Sequence, residues 1–415
     1  MKAILGMTIT LLVVLSIMAA GCAGPGTEPA GALPPPADEL DAGLVEANTQ
    51  FALHLLRELY RLDPDSDLFF SPASVSVALA MTYNGADGET FDAMAQTLGL
   101  GQMSLDRVNG AYADLLTILR NPDPELELDI ANSIWARQGL AFHQQFLDTN
   151  QEYYGATTRE LDFNDPEAST IINDWVKEAT RTRIEKIVPD DIRPDTIMFL
   201  INAIYFKGEW TDAFDPEDTH ADTFRRDDGN TATASFMHRS GEYRYYEGEG
   251  FRGIALPYGE ERLSMHVLLP DEGDDLDTLI HRIDPSTWSM IMDGLQPREV
   301  DLYLPRFTIE YEETLNEVLK AMGMEIAFDR TEADFSRMYP ITPGQNVYIG
   351  EVKHKAFVDV TEEGTEAAAA TSVEMRLESA METTVFRADR PFLFAIADDV
   401  TGTILFLGAY GGAEL

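Results

Sequence analysis

Cysteine is nearly absent: Cys22 stands alone in 415 residues, so no disulfide can form within the chain and a structural zinc site loses its thiolate ligands. A chain of this length can bury enough apolar surface to need no disulfide. Basic residues are also scarce, 30 Lys and Arg against 72 Asp and Glu, for a formal net charge of −42. That balance argues against nucleic-acid binding, which needs Lys and Arg to displace phosphate counterions. Charged residues make up 25% and hydrophobic ones 45%, an ordinary globular mix, so the acidity reflects missing bases rather than excess charge. Enzyme motifs are missing too. The seven histidines form no H-E-x-x-H pair, and neither a G-x-S-x-G elbow nor a Walker loop occurs. Gly248-x-Gly250-x-x-Gly253 has dinucleotide-binding spacing but leads into the strand-like Ile254-Ala255-Leu256-Pro257, not into a helix, and reads as a turn. The acids from Asp271 to Asp277 lack the glycine and closing glutamate of a calcium loop at the required spacing and read as a solvated face. No metal, no cofactor and no enzyme activity are expected, although a triad assembled from distant residues would escape such a scan.

What is present begins at the amino end. Lys2, the apolar run Leu11-Leu12-Val13-Val14-Leu15-Ser16-Ile17-Met18 and the small residues Ala19-Ala20-Gly21 read as a signal peptide over residues 1–21. Small residues directly before Cys22 resemble the lipobox of prokaryotic lipoproteins, whose cysteine is acylated; the alternative is a plain secreted protein. Residues 22–42 then form a linker with Pro25, Pro29, Pro34, Pro35 and Pro36, an extended spacer. One folded domain is expected over 43–415, exported and either lipid-anchored to the cell envelope or free outside the cell.

Within it, Leu44, Phe51, Leu55 and Leu59 mark a helix over 43–61, and Ser71-Pro72 caps and opens a second, apolar almost all round. Further helices are expected at 88–98, 104–120, 143–154, 169–187, 275–283, 285–293 and 312–322. Strands are expected at 126–136, 197–201 and 347–360, with two closing strands at 391–397 and 402–408. Helices lead and strands trail without βαβ alternation, which predicts an α+β fold.

The most informative stretch is Thr365 to Glu378. One parity holds Thr365, Ala367, Ala369, Thr371, Val373, Met375 and Leu377, all uncharged. The other holds Glu366, Ala368, Ala370, Ser372, Glu374, Arg376 and Glu378, with every charge. Period-two segregation marks a half-buried strand, here running roughly 45 Å. Small residues fill the front of its uncharged face, and Gly364 before it can hinge. An Ala-rich helix is the alternative on propensity alone.

Several motifs in order resemble the serpins over residues 45–410. Asn48-x-x-Phe51-Ala52-x-x-Leu55 resembles their first helix, and Phe69-Phe70-Ser71-Pro72-Ala73-Ser74 the start of the buried second one. Ile201-Asn202-Ala203-Ile204-Tyr205-Phe206-Lys207-Gly208-Glu209-Trp210 is similar to a sheet signature. Glu363-Gly364-Thr365-Glu366-Ala367-Ala368-Ala369-Ala370-Thr371 is similar to the inhibitory hinge. Asp389-Arg390-Pro391-Phe392-Leu393-Phe394 and Leu405-Phe406-Leu407-Gly408 resemble the closing strands.

The resemblance implies a large central sheet with additional sheets, about nine helices and an exposed reactive loop. It also implies an irreversible suicide-substrate inhibitor of serine endopeptidases, which traps the acyl-enzyme by inserting its cleaved loop into the central sheet. Gly364, Thr365, Glu366, Ala367, Ala368, Ala369, Ala370 and Thr371 would form the hinge. Ser71, Ser74, Asn202 and His354 would form the hydrogen-bonded shutter, and Trp210 would stand where insertion begins. Family spacing puts the scissile bond at Glu378-Ser379, with Leu377 and Arg376 as alternative primary positions. Extracellular serine proteases are the expected partners, cysteine proteases secondary ones, for a protein acting as a monomer. A non-inhibitory binding protein at the cell surface is the competing function. If Cys22 carries the anchor, Cys22→Ser expressed in a lipoprotein-processing bacterial host moves the protein from the membrane to the soluble fraction. Membrane retention of that variant would remove the anchor.

Overall fold

Polar residues that can take up free N–H groups stand where most of the helices begin. The computed structural model describes residues 40–120, 123, 125–226, 229–341, 346–365 and 384–413. Among these residues the α-helices are α1 (Ala42–Leu62), α2 (Pro72–Tyr83), α3 (Gly88–Thr97), α4 (Leu105–Leu119), α5 (Gln144–Tyr154), α6 (Ala168–Ala179), α7 (Leu276–Arg282), α8 (Pro285–Gly294) and α9 (Asn316–Leu319). The side chains of Asp41, Ser71, Asp87, Ser104, Asp275 and Asp284 cap α1, α2, α3, α4, α7 and α8.

The strands are β1 (Leu68–Phe70), β2 (Leu126–Arg137), β3 (Thr157–Leu161), β4 (Met198–Glu209), β5 (His220–Arg225), β6 (Thr231–Glu247), β7 (Phe251–Tyr258), β8 (Leu263–Pro270), β9 (Gln296–Pro305), β10 (Phe307–Thr314), β11 (Lys353–Thr361), β12 (Gly364–Thr365), β13 (Thr384–Arg387), β14 (Phe392–Asp398) and β15 (Ile404–Tyr410). They build two mixed sheets. The first runs β1-β15-β14-β8-β7-β6-β9-β13, with β5 beside β6; the second runs β10-β11-β12-β4-β2-β3. The fold is α+β, as the order of elements predicts. α2 packs against β4 of one sheet and β15 of the other, which is why Val75, Val77, Leu79, Met81 and Tyr83 are all buried. Beside it Phe69 stacks on both Phe394 and Phe406, at 5.9 and 5.2 Å between ring centroids. A separate apolar cluster, including Trp135, Phe163, Ile172, Val176 and Ile201, holds α6 onto the outer face of the second sheet.

Four local expectations are corrected. The helix expected over 169–187 ends at Ala179, because Arg181 and Thr182 take left-handed φ angles of 48° and 72°. The helix expected over 312–322 is strand as far as Thr314, and α9 then gives way to an irregular turn around Gly323, whose φ is 114°. The strand expected over 347–360 starts only at Lys353. Phe69 and Phe70, read as the start of the second helix, belong to β1, which pairs with β15. The Gly248–Gly253 run turns from β6 into β7, with Gly253 already paired to Tyr246, and the turn is closed by Gly248 N–H donating to the Phe251 carbonyl.

Candidate functional site

The second sheet has a gap. β11 and β4 are neighbours only through β12, in which Gly364 and Thr365 pair with Thr361 and Val360 on one side and with Glu209 and Gly208 on the other. Below Thr365 no ladder joins the facing edges of β4 and β11 among the described residues. A cavity of about 330 Å³ lies between them instead, with Ile201, Asn202 and Ile204 on one bank and Lys353, His354 and Lys355 on the other. Unpaired strand edges are templates for another strand.

The top of the gap is built around aromatic rings. Trp210 is buried, stacks on Tyr258 at 4.5 Å, and donates its indole N–H to the Thr361 carbonyl at 2.9 Å. Trp210 N–H donates to the Glu363 carbonyl and Phe214 N–H to that of Glu362, which fixes the turn leading into β12. The Tyr258 hydroxyl lies 2.8 Å from Thr365 Oγ1, and Thr365 is 2% exposed. Desolvation raises the Tyr258 pKa far above the ordinary tyrosine range, so it stays a neutral hydrogen-bonding partner. Gly364 is required here. Its φ is 147°, and a Cβ would lie 2.1 Å from the Gly208 carbonyl oxygen.

Lower in the gap, Ser71 N–H donates to His354 Nε2 at 3.0 Å, Ser71 Oγ donates to the Leu405 carbonyl at 2.7 Å, and Ser74 N–H donates to Ser71 Oγ at 3.0 Å. His354 thus joins β11 to the start of α2. Burial pushes its pKa from 6.5 down to about 4, and the geometry needs Nε2 unprotonated. Across the gap Asn202 donates Nδ2 to Asn132 Oδ1 at 2.7 Å, and Asn132 donates to the Tyr154 carbonyl at 2.8 Å. Asn202 Oδ1 is buried without a partner among the described residues. No group of three or more His, Cys, Asp or Glu is placed to hold a metal ion among those residues.

Residues 46–411 match the family model described as Serpin (serine protease inhibitor). The chain belongs to the serpin family. It is 35% identical to the leukocyte elastase inhibitor of Equus caballus over 88% of this chain and 98% of that protein. It superposes on a thermophilic serpin, tengpin, in the native state with a TM-score of 0.82, at 32% identity, over 90% of this chain and 95% of that one. It also superposes on human thyroxine-binding globulin, solved in complex with thyroxine, with a TM-score of 0.79, at 30% identity, over 88% of this chain and 97% of that one.

In this serpin the structure brings Ser71, Ser74, Asn202, His354, Trp210, Gly364 and Thr365 to one gap. The other predicted positions lie outside the described residues: Cys22, and the loop residues Glu366, Ala367, Ala368, Ala369, Ala370, Thr371, Arg376, Leu377, Glu378 and Ser379. Sequence reasoning missed Tyr258 and Asn132. Each sits in an ordinary strand context and meets its partner only through the fold.

His354 carries a pH prediction. Its folded pKa lies below its unfolded one, so the unfolded chain binds more protons between pH 6.5 and about 4. The contribution is therefore complete above pH 6.5 and is lost as pH falls, about 3 kcal/mol in all. Urea unfolding of wild type and His354→Asn across that range should show a weaker slope with pH for the variant; equal slopes would place the titration elsewhere.

Proposed function

We propose that this serpin is an irreversible suicide-substrate inhibitor of extracellular serine endopeptidases, held at the cell envelope through Cys22, with cysteine proteases as secondary targets. The observation that carries the reading is the gap between β4 and β11, entered from the top by Gly364 and Thr365. The buried side chain of Thr365 places its parity on the core side, the parity on which Ala367, Ala369 and Thr371 follow. Continued in the register of β12, Ala367 would stand opposite Phe206 and Val358. Thr371 would stand opposite Asn202 and His354, where a polar side chain meets the unpartnered Asn202 Oδ1.

The energetics favour that end state. Insertion adds hydrogen bonds on both sides of the new strand, each worth about 0.5–1.5 kcal/mol net, and buries its uncharged face. On this reading the loop enters the gap only after a protease has attacked the reactive bond. Attack by the enzyme's serine on the Glu378 carbonyl expels the Ser379 amine and leaves an acyl-enzyme. Cutting the loop frees it to insert and to carry the acylated protease with it before water can release it. A glutamyl-specific protease suits Glu378; trypsin-like and chymotrypsin- or subtilisin-like enzymes suit Arg376 and Leu377. The likeness to a thyroxine-bound serpin makes the competing reading concrete: a non-inhibitory binding protein whose loop does not insert.

One experiment separates the two. The chain is incubated with proteases of these three specificities. Denaturing gels and the mass of the released carboxy-terminal peptide are then read. An SDS-stable complex with a peptide beginning at Ser379, and a much raised melting temperature after cleavage, are expected. Clean cleavage by every enzyme with an unchanged melting temperature would reject inhibition.

A further inference from the structure

The gap is crossed by a strap. After α6 the chain runs through Thr180–Pro189, and Thr180, Arg183 and Ile184 roof the gap just below Thr365. The strap is anchored on both banks. Arg181 donates Nε to Asp129 Oδ2 at 2.8 Å and pairs with Glu127, both on β2, and its guanidinium lies 5.4 Å from the ring of Tyr205 on β4. Arg183 places its guanidinium 5.2 Å from the ring of Phe357 on β11. Extending β12 in register would set residue 368 opposite both Tyr205 and Phe357. The two anchors therefore bracket a single rung of the strand that has yet to enter.

At that rung the space is only about 20 Å³, which is room for a water but not for a strand. An inserted strand needs its two neighbours about 9.6 Å apart, twice the usual strand spacing. The banks must therefore part there, while the strap has little slack to follow. Thr182 N–H donates to the Lys177 carbonyl at 2.7 Å, Arg183 N–H to the Thr180 carbonyl at 2.9 Å, and Ile184 N–H to Thr180 Oγ1 at 3.0 Å. Left-handed φ angles at Arg181 and Thr182 fix the turn between the anchors.

We infer that Arg181 and Arg183 are positioning residues that latch the gap at the rung of residue 368 and restrain strand entry until the Arg181 anchor on Asp129 and Glu127 releases. The inference rests on the insertion reading above and adds the group that sets its rate. The Arg181 side chain is about half exposed, at 49%, so its pairs with Asp129 and Glu127 are open to screening by salt. Strand entry is then faster at high ionic strength.

The test uses the full uncleaved chain and a synthetic peptide with the sequence of residues 365–378, whose annealing is followed by gel shift. Arg181→Gln should anneal the peptide about fivefold faster than wild type at ~20 mM salt, an advantage that disappears at ~500 mM. Arg181→Lys, which keeps the charge, should stay near wild type. So should Arg61→Gln, which removes an exposed pair with Glu58 on α1, away from the gap. Equal rates for wild type and Arg181→Gln at both salts would overturn the latch. A Gln variant faster by the same factor at both salts would also overturn it, since that marks a loosened fold rather than an ionic anchor. If the peptide anneals to no form of the protein, the insertion reading falls first and takes the latch with it.

Discussion

Two residues doing the work of a strand define this molecule. Gly364 and Thr365 hold β4 and β11 apart at one end, and below them no ladder joins the two strands among the described residues. A strand edge that finds no partner in a buried sheet is a cost that proteins ordinarily avoid. Here both edges face a cavity, and the chain carries a period-two segment immediately after Thr365 whose uncharged side matches the core side. The surrounding features hold that opening in place. Trp210 and Tyr258 clamp its entrance, His354 ties its far bank to α2, and α6 with the strap roofs it.

Such an arrangement explains why polar groups occupy the middle of a deep core. Ser71, Asn132, Asn202 and His354 are buried, and almost all of their hydrogen bonds run between elements rather than within one. A purely apolar interface would slide and repack; directional bonds fix β4 and β11 against α2 and α5. The unsatisfied Asn202 Oδ1 is the one place where that network is incomplete among the described residues, and Asn202 lines the cavity. Freedom to open also fits the single cysteine, because a disulfide across either bank would lock the sheet.

Much of this was legible in the residues. The capped start of α2, its apolar circumference and the closing strands follow local rules; of the period-two stretch 365–378 only Thr365 is among the described residues, and it is buried. What escaped was set by distant partners. Periodicity marked only Ile197–Ile201 of β4, and its continuation to Glu209 came from the resemblance alone; the strand runs on because Leu126–Ala136 supplies a matching edge some seventy residues away in sequence. Tyr258 has no motif of its own and gains its role from Trp210 and Thr365. The end of α6 at Ala179 rests on two left-handed residues, Arg181 and Thr182, neither of which advertises that conformation.

If the loop inserts as proposed, the strap also accounts for an irregularity in its charged parity. Glu366, Glu374, Arg376 and Glu378 carry charge, but Ala368, Ala370 and Ser372 on the same parity do not. If only the core face had to be apolar, charge would be acceptable at every one of these positions, since the opposite face of a half-buried strand meets water. The outer face of the gap is not open water along its whole length. Val176, Ile184, Ile187, Val188 and Pro189, from α6 and the strap, line it. In the register of β12, residues 368, 370 and 372 would pass opposite Tyr205, Ala203 and Ile201, beneath that cover. A Glu or Arg there would be stripped of water with no partner supplied, at a cost of several kcal/mol, and a large apolar chain would collide with the strap. Small uncharged residues are the remaining choice on both faces at once. On the proposed insertion the run of four alanines fits a passage narrow on two sides, and charge returns to the sequence only beyond it.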